Sequence, residues 1–425
     1  MRTLADELTQ LAEHPRAVAW TVRLHSGFSG SAMVRDYVLF APPTVEAGQA
    51  VLSRVHNAIL MLNPAAAQVI APLPAERLEP FLTAVRGIHR IGIFLEGEAV
   101  RPLPQNFDLP SMDVSGEHAS VPGLAAGLDI GGTGMKACVL RDGVPLRFAS
   151  APTWPDGERG IESLIRRARE LLEDVAAGEQ VGSLGIGFAS PMGVGGKVSE
   201  LSTVMRAKVG DVAAFEHFAE RVGDGFGRVA MFNDLANLGR YLSSKGARRL
   251  IRLQIGTSFG GCWIDSNGTV YATEMGRLIV DVGPDSIPHT YLPIRGAVRS
   301  YLSNKGLAEY LAGELDRPFD PRTAGHSLRE LLLANNPVGT AAVARMAETM
   351  RGVVCELHAI LPGVTAVECG GSMLQGAAGK YLYAQVVGRV PVEFRISNQP
   401  GHDGAIAAAQ APLVEAALKG MRRVG

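Results

Sequence analysis

The amino-acid sequence predicts a two-lobed α/β protein preceded by a small α+β domain, and three observations carry that prediction. The chain has 425 residues, 47% hydrophobic and 20% charged, an ordinary globular composition at a length that exceeds a single core. The stretch from Arg101 to Gly123, RPLPQNFDLPSMDVSGEHASVPG, holds four prolines and no apolar period, so it reads as a linker. Beyond it, a strand, a glycine turn and a second strand occur twice, which points to two similar halves and an internal duplication. No sequence repeat accompanies that rhythm. The expected division is an N-terminal domain over 1–105, a linker over 106–123, a first lobe over 124–240 completed by a C-terminal helix over 402–425, and a second lobe over 241–401.

The elements follow from periodicity. Residues 17–24 (AVAWTVRL) and 37–41 (YVLFA) read as strands, and 45–62 as a helix with apolar positions three and four apart. Residues 76–87 read as another helix and 91–96 (IGIFLE) as a closing strand. After the linker, 125–150 reads as two strands joined at Asp142-Gly143, a dipeptide suited to positive φ. The leucine and isoleucine stripe of 161–177 predicts a helix. Then come a buried strand at 183–190, a helix at 212–223, a strand at 228–234 and a helix from Leu235. The second half opens with strands at 249–256 and 261–272 and continues mainly with helices. It ends in a strand, turn and helix over 364–383 and a helix over 404–418.

Charge excludes two classes of partner. With 41 Lys+Arg against 42 Asp+Glu the net charge is −1, which gives no general attraction to nucleic acid or to an anionic membrane. Residues 1–122 carry nine Arg, no Lys and twelve acids, so neither part is a basic module. That segment also lacks a helix-turn-helix pattern with a basic recognition helix. The first residues, MRTLADELTQLAEHP, are interrupted by acids and have no apolar signal-peptide core. The most apolar run, near Ala58 to Pro72, is broken at Asn63-Pro64 and too short to span a bilayer. A cytoplasmic location is the default expectation. The four cysteines are scattered through apolar runs, as buried thiols are.

The chain has 50 glycines, well above the ordinary share of about 7%, and those at strand ends carry the chemistry. Leu128-Asp129-Ile130-Gly131-Gly132-Thr133-Gly134 combines a buried strand, an acid at its end and a tight turn. Successive N–H groups of such a turn can cradle an anion, and Asp129 is suited to a hydrated Mg²⁺; the plainer reading is a glycine-rich hairpin. Gly256-Thr257-Ser258-Phe259-Gly260-Gly261, also between strands, reads as a second phosphate cradle. Gly370-Gly371-Ser372 follows a strand and opens a helix, where N–H groups favour a nucleotide. Gly401-His402-Asp403-Gly404 begins the last helix. Between the cradles, Asn233-Asp234 ends a buried strand. Phosphoryl transfer to an alcohol needs a carboxylate to orient the hydroxyl and take its proton, and Asp234 fits that need; the plainer reading is a helix N-cap.

In this order the motifs resemble the ROK-type sugar kinases of the actin-like ATPase superfamily. The matching elements are LDIGGTGMK, GIGFASPMG, FNDLAN, IGTSFGG, TEMG, VECGGS and HDGAIAAA, spanning about residues 124–415. The resemblance implies a two-lobed actin-like ATPase (ribonuclease H-like) fold and Mg²⁺-dependent transfer from ATP to a hydroxyl of a sugar, sugar derivative or cyclitol. It implies Asp234 as general base, Asn233 and Glu274 as acceptor ligands and Asp129 on the magnesium. Gly131, Gly132, Thr133, Gly134 and Lys136, with Gly256, Thr257, Ser258 and Gly260, would hold donor phosphates, and Gly370, Gly371 and Ser372 the adenosine. Gly134-Met135-Lys136 and Thr273-Glu274-Met275-Gly276 are similar to the polyphosphate-using glucokinase branch, so polyphosphate stays open as donor. Dimerisation is a further implication of the family.

The sequence departs from the family at the acceptor. Arg277 replaces a histidine, the segment after it has no cysteine where the family has a zinc cluster, and Arg299 stands where a sugar-binding glutamate is expected. The Asn expected near Ser202 to Val204 is also missing. Zinc is not expected. Two guanidinium groups suit an acceptor bearing phosphate or carboxylate. The alternative is that Arg277 and Arg299 pair with Glu274 and Asp281 in a site that has lost its substrate, leaving a ligand sensor or regulator.

Overall fold

A computed structural model describes residues 1–25, 34–62, 66–88, 92–95, 123–155, 157–192, 197–289, 292–361, 363–397 and 403–410. Nearly all of the expected linker lies outside these residues, as do Gly401 and His402. The chain divides into two compact units: Met1–Asn106 with Leu253–Gly261 and Thr273–Ile396, and Phe107–Arg252 with Cys262–Ala272 and Ser397–Gly425.

The N-terminal segment contains α1 (Leu4–Ala12), β1 (Val18–His25), β2 (Val34–Ala41), α2 (Val45–Leu62), β3 (Ala66–Ile70), α3 (Ala75–Ile88) and β4 (Gly92–Leu95). Its sheet runs β2-β1-β3-β4, with β1 antiparallel to both neighbours and β3 parallel to β4. Two of these elements escape a periodicity reading. Helix α1 buries only one narrow edge, including Leu4 and Leu8, and is started by Thr3, whose hydroxyl accepts the Asp6 N–H at 3.2 Å. Strand β3 is only five residues, AAQVI, too short for its period to stand out.

The first α/β half contains β5 (Leu124–Ile130), β6 (Gly134–Arg141), β7 (Val144–Pro152), α4 (Ile161–Ala176), β8 (Ser183–Phe188), α5 (Thr203–Val209), α6 (Phe218–Val222), β9 (Arg228–Asn233) and α7 (Asp234–Ser244). Its sheet runs β7-β6-β5-β8-β9; β5, β8 and β9 are parallel, and β6 is antiparallel to β5 and β7. Residues 125–150 thus form three strands rather than two, because the glycine turn breaks them as sharply as Asp142-Gly143, whose φ angles are 51° and 81°. The helix expected over 212–223 is instead a 3-10 turn at Val212–Phe215 and the short α6. Phe188, Phe215 and Phe218 pack together there, with ring centroids 5.1 to 5.7 Å apart.

The second half contains β10 (Leu250–Ile255), β11 (Phe259–Ile264), β12 (Val270–Thr273), α8 (Asn304–Leu315), α9 (Ala324–Leu333), α10 (Pro337–Ile360), β13 (Ala366–Gly370), α11 (Ala377–Val386) and β14 (Glu393–Ile396). Residues 261–272 are therefore two strand segments, divided where Asp265 accepts the N–H groups of Asn267 and Thr269 at 2.8 Å each. This sheet runs β12-β11-β10-β13-β14. In each half, then, the third, second, first, fourth and fifth strands lie in that spatial order. The duplication absent from the sequence is present in the topology.

Residues 403–410 are helical and cross β5 at very short range. A Cβ on Gly127 would lie 1.9 Å from the Ala405 carbonyl oxygen, so only glycine fits there. Cys138, Leu140, Ala405 and Ala409 bury the contact.

Candidate active site

In the first half the sheet gathers four predicted residues. Asp129 near the end of β5 is in register with Gly187 on β8, which is in register with Phe232 on β9; one position on, Ile130, Phe188 and Asn233 align. Parallel strands place their C-terminal ends together, where open α/β sheets bind ligands. Gly187 is the bare position between the acids: a Cβ there would lie 3.5 Å from Asp129 Oδ1, 3.5 Å from Asp234 Cα and 3.4 Å from Asn237 Nδ2. Burial raises the Asp129 pKa, and the ammonium of Lys136, its register partner on β6, opposes that rise. The start of the last helix also closes on this carboxylate, since a Cβ on Gly404 would be 2.4 Å from Asp129 Oδ2.

Asn233 and Asp234 divide the labour at the end of β9. Asn233 caps α7, its Oδ1 accepting from the N–H groups of Leu235 and Ala236 at 3.0 Å each, while its Nδ2 donates to Ser190 O at 3.2 Å. Asp234 is the first residue of the helix, and its Oδ1 accepts from the Leu235 N–H at 2.9 Å. The cap considered for Asp234 is thus made by Asn233. Asn237 was not singled out from the sequence as a site residue. It is 2% exposed, one turn beyond Asp234, and its Oδ1 has no hydrogen-bond partner among the described residues. The signal available was its three-residue spacing from Asp234, which puts both on one helix face.

The first glycine turn is closed by the Gly131 N–H donating to Gly134 O at 3.0 Å, and Thr153 Oγ1 donates to Gly131 O at 2.8 Å. Gly134 opens β6 and Lys136 lies within it.

In the second half, the second glycine motif and the predicted adenosine motif lie side by side. The turn Gly256–Ser258 is closed by the Gly256 N–H donating to Ser258 O at 2.9 Å, whereas Gly260 belongs to β11. Gly371, at φ 113°, presses so closely on β10 that a Cβ would be 2.1 Å from Ile255 O, and a Cβ on Gly256 would meet Ser372 Oγ at 3.6 Å. Gly370 ends β13. Asn304 joins this group, its N–H donating to Gly256 O at 2.8 Å. Its Oδ1 is buried without a hydrogen-bond partner among the described residues. Such an orphan acceptor calls for a donor, and nothing in the local sequence signals it.

The third group is Glu274, Arg277 and Arg299. Met275–Arg277 is one 3-10 turn, and Arg277 Nε lies 3.7 Å from Glu274 Oε2. Arg299 lies beside Gly276, its Cβ 3.5 Å from where a Cβ on that glycine would be. Asp281 accepts from Tyr301 Oη at 2.7 Å, Gly283 N at 3.0 Å and Arg2 N at 3.2 Å. Burial, then the charges of Arg299 and Arg277, push the His289 pKa down to about 4. Among the described residues no cluster of His, Cys, Asp and Glu could hold a metal by itself. A mostly hydrated magnesium can be held by a single carboxylate, and Asp129 presents one near the end of β5.

Solved structures share this architecture. A ROK hexokinase from Thermus thermophilus is 21% identical, with 69% of this chain and 99% of that one covered and a TM-score of 0.53. The fold is that of the ROK kinases. A ROK family glucokinase from Streptomyces griseus, solved with glucose and AMPPNP, matches at 21% identity over 68% of this chain and 99% of that one, with a TM-score of 0.54. The ROK fold also serves a transcriptional regulator, a homolog of the E. coli MLC protein, matching at 12% identity over 71% of this chain and 81% of that one, with a TM-score of 0.52. At these identities the likeness is one of fold. No family model and no curated protein matches the sequence. Among the described residues no helix is long and apolar enough to cross a membrane.

Proposed function

We propose that the protein is a sugar kinase, transferring the terminal phosphoryl group of ATP to a hydroxyl of a sugar, sugar derivative or cyclitol. The observation that carries this reading is the pair of acids, Asp129 on β5 and Asp234 at the start of α7, on either side of the bare Gly187. Asp234 orients the acceptor hydroxyl and takes its proton as the phosphoryl group arrives. Asn233 keeps Asp234 in place by capping α7 and offers its second amide hydrogen to the acceptor, the first being used on Ser190 O. Asp129 would hold magnesium through water, with Lys136 beside it; the ion supplies neutralisation of charge on the donor phosphates. The adjoining turns Gly256–Ser258 and Gly371–Ser372 favour a nucleotide over polyphosphate, since a polyphosphate needs no second turn for a base and ribose. Arg277 and Arg299, with one glutamate between them, favour an anionic acceptor.

A ligand-sensing or regulatory role is the second reading, favoured by the Arg277–Glu274 ion pair, which occupies a carboxylate that an active site would offer to a hydroxyl. The two are separated by incubating the full-length protein with labelled ATP, Mg²⁺ and a panel of sugars, sugar phosphates and cyclitols. Acceptor-dependent transfer is expected, strongest for anionic members. Tight binding of a sugar without transfer to any of them would establish the second reading and remove the first.

A further inference from the structure

Glu274 precedes and Arg277 ends a single 3-10 turn, and the segment that follows runs outside the named strands, so many of its backbone polar groups must be satisfied from elsewhere. From Arg277 to Val282 the N-terminal segment supplies many of those partners. His56 on α2 bonds the Arg277 carbonyl at 3.0 Å, and since a carbonyl only accepts, Nε2 carries the proton. Asn57 pairs with Ile279 as a neighbouring strand would: its Nδ2 donates to Ile279 O at 2.9 Å and its Oδ1 accepts from Ile279 N at 2.8 Å. Thr273 Oγ1 lies 3.4 Å from Met61 Sδ, also on α2. On the far side of the same segment, Leu4 N donates to Val280 O at 2.9 Å and Val282 N to Arg2 O at 3.0 Å.

The Asn57 amide has no room to turn. Its Nδ2 also donates to Glu356 Oε1 at 3.0 Å, and that oxygen lies 2.5 Å from Arg54 Nε. Asn57 and Glu356 are both wholly buried. With its Nδ2 and Oδ1 both engaged and the side chain buried, the Asn57 amide is fixed in one arrangement. Asn57 therefore holds the backbone two residues from Arg277, and His56 holds Arg277 itself.

We propose that α2 is a built-in clamp for the acceptor-binding segment 273–282, with Asn57 as its positioning residue. In this role the N-terminal segment acts within the kinase, setting where the Glu274 carboxylate and Arg277 guanidinium stand. The proposal rests on the reading of those two side chains as acceptor ligands.

The test is Asn57→Ala in the full-length protein, read by amide hydrogen exchange and by kinetics. Loss of the two-point pairing should speed exchange across residues 277–282 about tenfold, one hydrogen bond's worth. The KM for the acceptor should rise by about the same factor, with the KM for ATP unchanged. A merely structural role would instead lower the melting temperature and leave both KM values alone. Unchanged exchange in 277–282, or equal rises in both KM values, would overturn the clamp. If the wild-type protein phosphorylates no acceptor, the kinase reading has failed, and the exchange result alone decides the clamp. Should Asn57→Ala not fold, His56→Ala removes the single bond to Arg277 O and carries the same expectation with a smaller change.

Discussion

The strand ends that carry Asp129 and Asp234 and the segment that carries Glu274 and Arg277 are held by different means. The first group rests on regular structure: three parallel strands in register, a helix begun at once, and a cap from the adjacent residue. The second rests on side chains of α2, which are more than two hundred residues earlier in the chain. Regular backbone fixes a side chain to within its rotamers, whereas an irregular segment takes its position from whatever satisfies its peptide groups. On the proposed function, the residues that would carry phosphoryl transfer are thus attached to the first kind of support, and those that would select the acceptor to the second.

The sharpest attack on this contrast is Asp234→Asn. It keeps the helix start, so the protein should melt as the wild type does while turnover falls by a factor of about 10²–10⁴, the usual worth of a general base. Unchanged turnover would remove Asp234 from the chemistry. On the other side of the comparison, Glu356→Ala leaves the half-buried Arg54 and one amide hydrogen of Asn57 without their partner, and removal of one partner of a buried pair costs up to about 3–5 kcal/mol. Denaturant unfolding should register that loss; a change within error would mean that the network is dispensable.

Gly404→Ala probes the first group by crowding it. The new methyl meets the Asp129 carboxylate at less than contact distance, for which overpacking predicts about 1–3 kcal/mol of destabilisation and a raised Mg²⁺ requirement in the transfer assay. The smallest expected effect is a pH dependence from the second group. His56 is held neutral by burial, and its pKa, like that of His289, falls from 6.5 to about 4. Between those values the unfolded chain binds protons that the folded chain does not. Stability is therefore complete above about pH 6.5 and is lost as the pH falls toward 4. Thermal melts from pH 7 to pH 5 should show the decline, and His56→Gln should flatten part of it.

Much of the first group was legible in the sequence, because its signals are local. An acid closing an apolar strand, a glycine turn and Asn-Asp before a helix each describe a geometry that neighbouring residues enforce. Even there, Asn237 was passed over, and the roles of Asn233 and Asp234 in capping were separated only by hydrogen bonds. The helix expected over 212–223 is divided into a 3-10 turn and a short helix. The glycines at 127 and 404 look no different in sequence from those in turns, yet they are set by a helix and by a carboxylate that approach too closely for a Cβ.

By itself, then, the sequence determined the strands and helices with strong periods, the order of the glycine motifs and the candidate acids, since each follows from interactions a few residues apart. Tertiary structure alone decided three things: the matching strand order of the two halves, the pairing of Gly256 with the Gly371 turn, and the union of α2 with the segment 273–282. These join residues far apart in the chain, through backbone groups that every residue type carries, so composition and spacing leave no mark of them.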